Sequence, residues 1–245
     1  MPDKDWISAD WPAPARVRTL VTTRNGGVSQ PPYASLNLGA HVGDDPQAVA
    51  ANRARLRDAL PAEPAWLNQV HGIAVADASA IGANAPDADA SFAREPGVVC
   101  AAMTADCLPV LLCDERGQTV AAAHAGWRGL CDGVIEATVA AMALPPSDLM
   151  AWLGPAIGPD AFEVGAEVRQ GFIAKDAEAD SAFVDIGNGK YLADIYALAR
   201  LRLRKLGVSR VYGGDFCTVI DRDRFFSYRR DGITGRMVSM IWLGD

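Results

Sequence analysis

The chain holds three histidines, His41, His71 and His124, and five cysteines, none in a Cys-x-x-Cys pair. Each histidine lies beside a glycine or a loop signal. His71 precedes Gly72, and His124 ends an apolar run, 119–123, before Ala125-Gly126. Cys107 follows Asp106 between two more apolar runs. Side chains at strand ends point into the crevices where ligands bind. His71, Cys107 and His124 therefore form a candidate zinc set, because three protein ligands leave a fourth position for water or substrate. Their spacings, 36 and 17 residues, match no short zinc-finger pattern. A second chemistry uses the same atoms, with Cys107 as nucleophile and His124 as its base. The two exclude each other, since a metal-bound thiolate is not free to attack. The plainest alternative is a buried apolar thiol near two ordinary hydrogen-bonded histidines.

Arg24, in Arg24-Asn25-Gly26-Gly27, and Arg128, in Gly126-Trp127-Arg128-Gly129, lie in glycine-flanked loops. Such loops let backbone approach an anion, and a guanidinium can clamp it bidentately. Arg128 also precedes an expected helix N-terminus, which favours negative charge. Taken singly, either arginine reads equally as a structural ion-pair partner. Asp106 is the acidic side chain nearest Cys107 in sequence, a candidate for proton transfer or for orienting a ligand. Residues 225–230, Phe-Phe-Ser-Tyr-Arg-Arg, combine aromatic and basic side chains and suit a stacking surface or a core wall. Trp127 suits a pocket wall or simple packing. Cys100, Cys113, Cys131 and Cys217 read as core or loop-interior fillers.

The elements that must position these groups follow from pattern. Strands are expected at 17–22, 66–70, 98–103, 108–113, 119–123, 151–153 and 208–212, the middle ones apolar enough to be buried on both faces. Helices are expected from Asp45-Pro46 to about Leu60, from about Asp132 to Met142, and over 191–206 with Gly207 as cap. Phe162, Val164, Val168 and Phe172 also sit near helical spacing. Residues 225–230, Asp231-Gly232 and 237–243 read as a strand–turn–strand unit. Strands and helices mix without strict alternation, so the expected class is α+β with mixed sheets. No linker stands out, so residues 1–245 read as one domain.

With 245 residues, half of them hydrophobic, the chain can bury a large core. Its 23 basic and 30 acidic residues leave a formal charge of −7, which argues against nucleic-acid or anionic-membrane partners. No apolar run reaches the ~18 residues of a membrane span. Asp3, Lys4, Asp5 and Asp10 leave no secretory apolar region. The odd cysteine count reads as thiols of a reducing compartment, hence a cytoplasmic protein.

Three segments carry a resemblance: 67–72 (LNQVHG), 104–112 (TADCLPVLL) and 123–129 (AHAGWRG). So do 37–44, 154–159 with 162–165, and 225–230 with 234–236, in order along nearly the whole chain. Together they resemble the YfiH/YlmD laccase-domain family. The resemblance implies a single-domain, layered α/β/β/α fold and a zinc site on His71, Cys107 and His124. It implies purine nucleoside phosphorolysis of adenosine, inosine and methylthioadenosine, with adenosine deamination. Purine nucleoside and phosphate are then the small-molecule partners of a monomer or weak homo-oligomer. Arg24, Asn68 and Arg128 are the candidate substrate-binding residues. Some members are linked to editing of peptidoglycan precursors, which matches a cysteine hydrolase or amidase with Cys107 as nucleophile and His124 as base. Older labels call members copper polyphenol oxidases. Multicopper oxidation needs several copper centres and many histidines, and three histidines cannot supply them. Copper is therefore disfavoured against zinc.

Overall fold

The computed structural model describes residues 5–82 and 84–245. Asp3 and Lys4, part of the charged start noted above, lie outside them. Thirteen strands are present among the described residues: β1 (Val17–Val21), β2 (Pro64–Ala65), β3 (Val75–Asp77), β4 (Ala90–Ala93), β5 (Val99–Thr104), β6 (Leu108–Asp114), β7 (Val120–Ala125), β8 (Leu149–Leu153), β9 (Glu163–Gly165), β10 (Phe183–Gly187), β11 (Lys190–Ala193), β12 (Arg210–Gly213) and β13 (Met237–Leu243). The helices are α1 (Pro46–Arg57), α2 (Trp127–Asp132), α3 (Val134–Met142), α4 (Ala166–Lys175), α5 (Ile195–Leu206) and α6 (Tyr228–Asp231).

Two mixed sheets dominate. One runs β1-β13-β5-β2, the other β12-β8-β6-β7-β4-β3, and a small sheet runs β10-β11-β9. Alternation along each strand decides what lies between them. In β6, Leu111 and Cys113 face one way and Leu108, Val110 and Leu112 the other. The first set joins Val120 and Ala122 of β7, Cys100 and Ala102 of β5, and Ile241 of β13 in a core between the two large sheets. The second set packs under α3 and α5 with Ile135, Val139, Leu198 and Leu203. Beyond the four-stranded sheet, Leu56 of α1 covers Val99, Ala101 and Met103. The order is helix, sheet, sheet, helix, as the resemblance implied. The strands β5 to β8 are buried at every position, as continuous apolar runs require.

Several local expectations change. The helix expected from about Asp132 to Met142 is α3, and the segment before it, expected as a loop, is a further helix, α2, separated from α3 by Gly133 at φ +110°. Arg128 therefore lies inside α2 rather than in a loop before a helix. The helix expected from Tyr191 starts at Ile195, where the Asp194 side chain accepts from the Ala197 amide; Tyr191 pairs with Val164 in the small sheet. Val164 is likewise in strand β9, not a helix. Residues 225–230 form no strand: Ser227 caps α6 by accepting from the Arg230 amide at 3.2 Å. Expected strand 66–70 is a loop with one bridge, Asn68 to Asp87. Helix α1 starts on Asp45-Pro46 as expected, with the Asp45 carboxylate accepting from the Gln47 amide. Helix α5 ends at Gly207, φ +95°.

Candidate metal centre and adjoining cavities

The chain passes from one large sheet to the other at the same end of the sandwich twice. Loop 66–74 leads from β2 to β3, and the corner 105–107 leads from β5 to β6. Register fixes what meets there: Thr104 pairs with Met237, and Leu108 pairs with Ala125. His71 is on the first crossing and Cys107 on the second. His124 shares the strand face of Val120 and Ala122, so it turns into the gap between the sheets at its open end.

The three side chains converge. Their ligand atoms lie within 4.8 Å of one another, with His71 Nε2 3.9 Å from Cys107 Sγ. The two imidazoles meet edge to face at 4.9 Å. His124 is buried, Cys107 half-buried and His71 exposed, so the group opens to solvent on one side. Among the described residues no second His/Cys/Asp/Glu cluster of this kind occurs. A tetrahedral ion with nitrogen at ~2.1 Å and sulfur at ~2.3 Å would set those two ligands ~3.6 Å apart, near the observed spacing.

Asp89, fully buried just before β4, holds both histidines. Its Oδ1 accepts from His124 Nδ1 at 2.8 Å and from the His71 amide at 2.9 Å. Its Oδ2 accepts from the amides of Gly72 at 2.7 Å and Val70 at 3.2 Å. One carboxylate thus fixes the His124 tautomer, leaving Nε2 for a metal, and stabilises His71 at φ +60°, an uncommon conformation outside glycine. Gln69 pins the same loop, with its amide bonded both ways to the Met103 backbone at 2.8 Å. Neither Asp89 nor Gln69 stands out in the sequence as a site residue. Asp89 is one of two aspartates in 87–89, and only folding shows which of them is inside.

Electrostatics favour a Cys107 thiolate beside a protonated His124, which gives up its Nε2 proton when it ligates a metal. Burial works against a Cys107 thiolate, but His124 and then His71 outweigh it and bring the thiol down to about 6. Burial also works against a charged His124, but the Cys107 thiolate and the Asp89 carboxylate outweigh it and raise His124 to about 9. Cys100 and Cys113, in the core between the sheets, are pushed up to about 12 by burial, which fits their reading as fillers.

Gly126 leaves the space the centre occupies. A Cβ there would lie 2.9 Å from His71 Cδ2 and 3.0 Å from Cys107 Sγ, although its φ of −61° suits any residue. Gly126→Ala is therefore expected to keep the fold and weaken metal binding at least ~10-fold, the scale of an outer-shell perturbation. Chelator competition and circular dichroism measure the two; unchanged affinity would refute the cradle.

Two cavities adjoin at Cys107. A polar one of about 330 Å³ is lined by His41, Gln69, His71, Cys107, His124 and Arg236, among others. An apolar one of about 200 Å³ is lined chiefly by Trp127, Ile157, Phe162, Ile195, Tyr228 and Arg229. Ala105, Cys107 and Tyr228 belong to both. A larger groove of about 890 Å³, between residues 177–182 and α5, contains none of the metal-site residues.

Of the other candidate residues, Arg24, Asn68 and Arg128 fall outside. Arg24 donates to the carbonyls of Ala34 and Arg222 and lies 4.9 Å over the Phe226 ring, beside a separate polar cavity. Its loop is braced by its own guanidinium. Asn68 is exposed and donates to Asp87. Arg128 is exposed, with its guanidinium 4.4 Å from the ring centroid of Trp127, and lines neither cavity. Asp106 lines the apolar cavity, but its carboxylate accepts from Thr218 Oγ1 and from the Arg229 amide, which commits it to holding the C-terminal segment. Arg236, at the end of segment 234–236, lines the polar cavity, and nothing in its sequence position signals that.

Comparison with known proteins agrees with this layout. The family profile described as multi-copper polyphenol oxidoreductase laccase matches residues 18–244. The chain is 59% identical to purine nucleoside phosphorylase PA4543 of Pseudomonas aeruginosa, over 98% of this chain and 99% of that protein. It is 58% identical to purine nucleoside phosphorylase YfiH of Escherichia coli, over 97% and 98%. The crystal structure of Neisseria meningitidis protein NMB0706 superposes with a TM-score of 0.96 at 59% identity, covering 99% of this chain and all of that one. That of YlmD from Geobacillus stearothermophilus gives 0.93 at 32% identity, covering 100% and 98%. With its two crossings between sheets, its histidine–cysteine–histidine centre and these matches along nearly its whole length, the chain belongs to the YfiH-type multi-copper polyphenol oxidoreductase laccase family.

Proposed function

We propose that this protein is a cytoplasmic, zinc-dependent purine nucleoside phosphorylase acting on adenosine, inosine and methylthioadenosine, with adenosine deamination at the same centre. The observation that carries the reading is the pair of unlike cavities meeting at Cys107. A purine needs an apolar, aromatic slot, and Trp127, Phe162 and Tyr228 supply one. A phosphate needs fixed cationic donors, and the polar cavity has Arg236, whose Nη1 is anchored on the carbonyls of Thr234 and Gly235. His41 lies beside it, its proton affinity lowered by burial and then by Arg236, so it serves as a neutral hydrogen-bonding group. The ribose then spans the junction, with its anomeric carbon facing the polar side.

In phosphorolysis a phosphate oxygen bonds to the anomeric carbon as the carbon–purine nitrogen bond breaks. The electron pair leaves with the base, which takes a proton, and the products are purine and ribose 1-phosphate. Arg236 and His41 hold and aim the nucleophile, while the aromatic slot orients the leaving base. Zinc held by His71, Cys107 and His124 would supply Lewis acidity and a bound water of lowered pKa, the chemistry that deamination requires. Two imidazoles, one thiolate and an open side suit zinc, and with two of the three histidines used here too few remain to ligate the further copper centres of laccase chemistry. Arg128 enters only through Trp127, whose ring it stacks on. Arg24 and Asn68 have no part in the substrate path.

Incubation with inosine, with and without phosphate, followed by chromatography, tests the reaction; base release independent of phosphate would sink it. Arg236→Ala is expected to raise the Michaelis constant for phosphate ~10- to 100-fold, the scale of a lost charge-assisted bond, with a smaller change for inosine. Arg128→Ala should leave the phosphate constant within ~2-fold. The reverse ranking would transfer the anion to Arg128.

One observation favours a second reading. Asp89, His124 and Cys107 stand in the order of an orienting acid, a base and a nucleophile, as in a cysteine hydrolase or amidase acting on peptidoglycan precursors. Metal content separates it from the first, as set out in the Discussion.

A further inference from the structure

Besides Trp127 of α2 and Ile195 of α5, three distant segments wall the apolar cavity: the corner holding Cys107, the loop 154–162 after β8, and the C-terminal segment 216–231. Asp106 joins all three. Its Oδ1 accepts from Thr218 Oγ1 at 2.5 Å and its Oδ2 from the Arg229 amide at 2.6 Å. Its carbonyl accepts from the Ile157 amide at 2.9 Å. Thr218, fully buried, extends the tie by donating its amide to Ala156 and accepting Arg230 Nη1 at its carbonyl. Asp106 is itself buried and stands at φ +91°, a conformation rarely taken outside glycine, so its carboxylate is held where these donors meet. Arg229 and Tyr228, whose positions follow from that carboxylate, face Ile157 and Phe162 across the cavity, with the Arg229 guanidinium 5.6 Å from the Phe162 ring centroid.

We propose that Asp106 is a positioning residue that sets the width of the apolar slot, and with it the affinity and selectivity for the nucleobase. The inference rests on the phosphorolysis reading above. Asp106 itself lines the slot, but both of its carboxylate oxygens are engaged by Thr218 and Arg229, so it acts through the segment that carries Tyr228 and Arg229. Loosening the clasp widens the slot, weakens purine binding and narrows the preference for purine over the smaller pyrimidine base.

Asp106→Gly isolates the effect, because glycine takes the observed φ without strain while the carboxylate is removed. In protein whose metal content is measured alongside, the Michaelis constant for inosine is expected to rise ~10-fold or more, with kcat within ~3-fold and metal content unchanged. The preference for inosine over uridine should fall ~10-fold, and amide exchange across 227–231 should quicken by at least ~10-fold. Asp106→Asn should stay within ~3-fold of the parent, since its amide can accept from Arg229 and donate to Thr218 Oγ1. Thr218→Val should shift both constants in the same direction by a smaller factor. Loss of metal in Asp106→Gly, or a fall in kcat with the inosine constant and base preference unmoved, would overturn the proposal. If the parent protein cleaves no nucleoside, the phosphorylase reading fails instead. The clasp is then judged by amide exchange alone: unchanged exchange across 227–231 overturns it, and quickened exchange supports it.

Discussion

Cys107→Ser is expected to abolish phosphorolysis and to release the metal while the protein stays folded. Serine replaces a thiolate brought down to about 6 by a neutral hydroxyl, so the centre loses its one anionic, soft ligand. The loss of affinity should exceed the ~10- to 100-fold typical of losing an outer-shell partner. The change in volume is small and Cys107 is only half-buried, so stability should fall by no more than ~1 kcal/mol. Elemental analysis of protein purified without added metal gives the decisive number. Zinc near one per chain in the parent and near zero in the variant is the expected pair. Normal metal content with no turnover would favour Cys107 as nucleophile, with His124 as base, over Cys107 as ligand.

A comparably large effect is expected from Asp89, which lies outside the ligand set and hydrogen-bonds two of its members. Asp89→Asn replaces one of two accepting oxygens by an NH2 group facing amide donors, in a site without solvent. At least one of the Val70, His71, Gly72 and His124 donors then loses its partner, at a cost of about 2–4 kcal/mol in stability. His124 loses the acceptor that fixes its tautomer, and the left-handed turn at His71 loses its counterweight. Metal affinity should fall ~10- to 100-fold, and turnover with it. Urea unfolding and chelator competition check the two separately. Parental metal affinity in the Asp89→Asn variant would show that the backbone alone holds the histidines, and Asp89 would then be a fold residue only.

These two residues also mark how far the sequence could be read. Cys107 is visible as chemistry: a cysteine between apolar runs, paired with histidines that end runs of their own. Asp89 is a carboxylate beside a buried strand, and its worth depends on four donors that folding brings to it. Gln69 and Arg236 are similar, since one bonds the Met103 backbone and the other reaches the polar cavity from the turn before β13. Arg24 and Arg128 had the right chemistry in glycine-flanked segments, yet one is occupied by backbone carbonyls and the other stacks outside the cavity lining. Residues 225–230 show the same limit in secondary structure. Their aromatic side chains suit a strand, but the Ser227 cap and the remote Asp106 carboxylate favour a helical turn.

By itself the sequence determined the elements whose signals are local: the central strands, long continuous apolar runs that only a two-sided interior can bury; the helix starting at Asp45-Pro46; and the end of α5 at Gly207. It also determined the ligand types available, because histidine and cysteine are scarce and their positions few. The tertiary structure alone decided that loops 36 residues apart share an end of the sandwich, which aspartate faces the histidines, and which arginine reaches the cavity. Those outcomes depend on strand register and on the packing of one sheet against another. Such contacts join residues far apart in the chain, and their energies exist only once the intervening segments have folded.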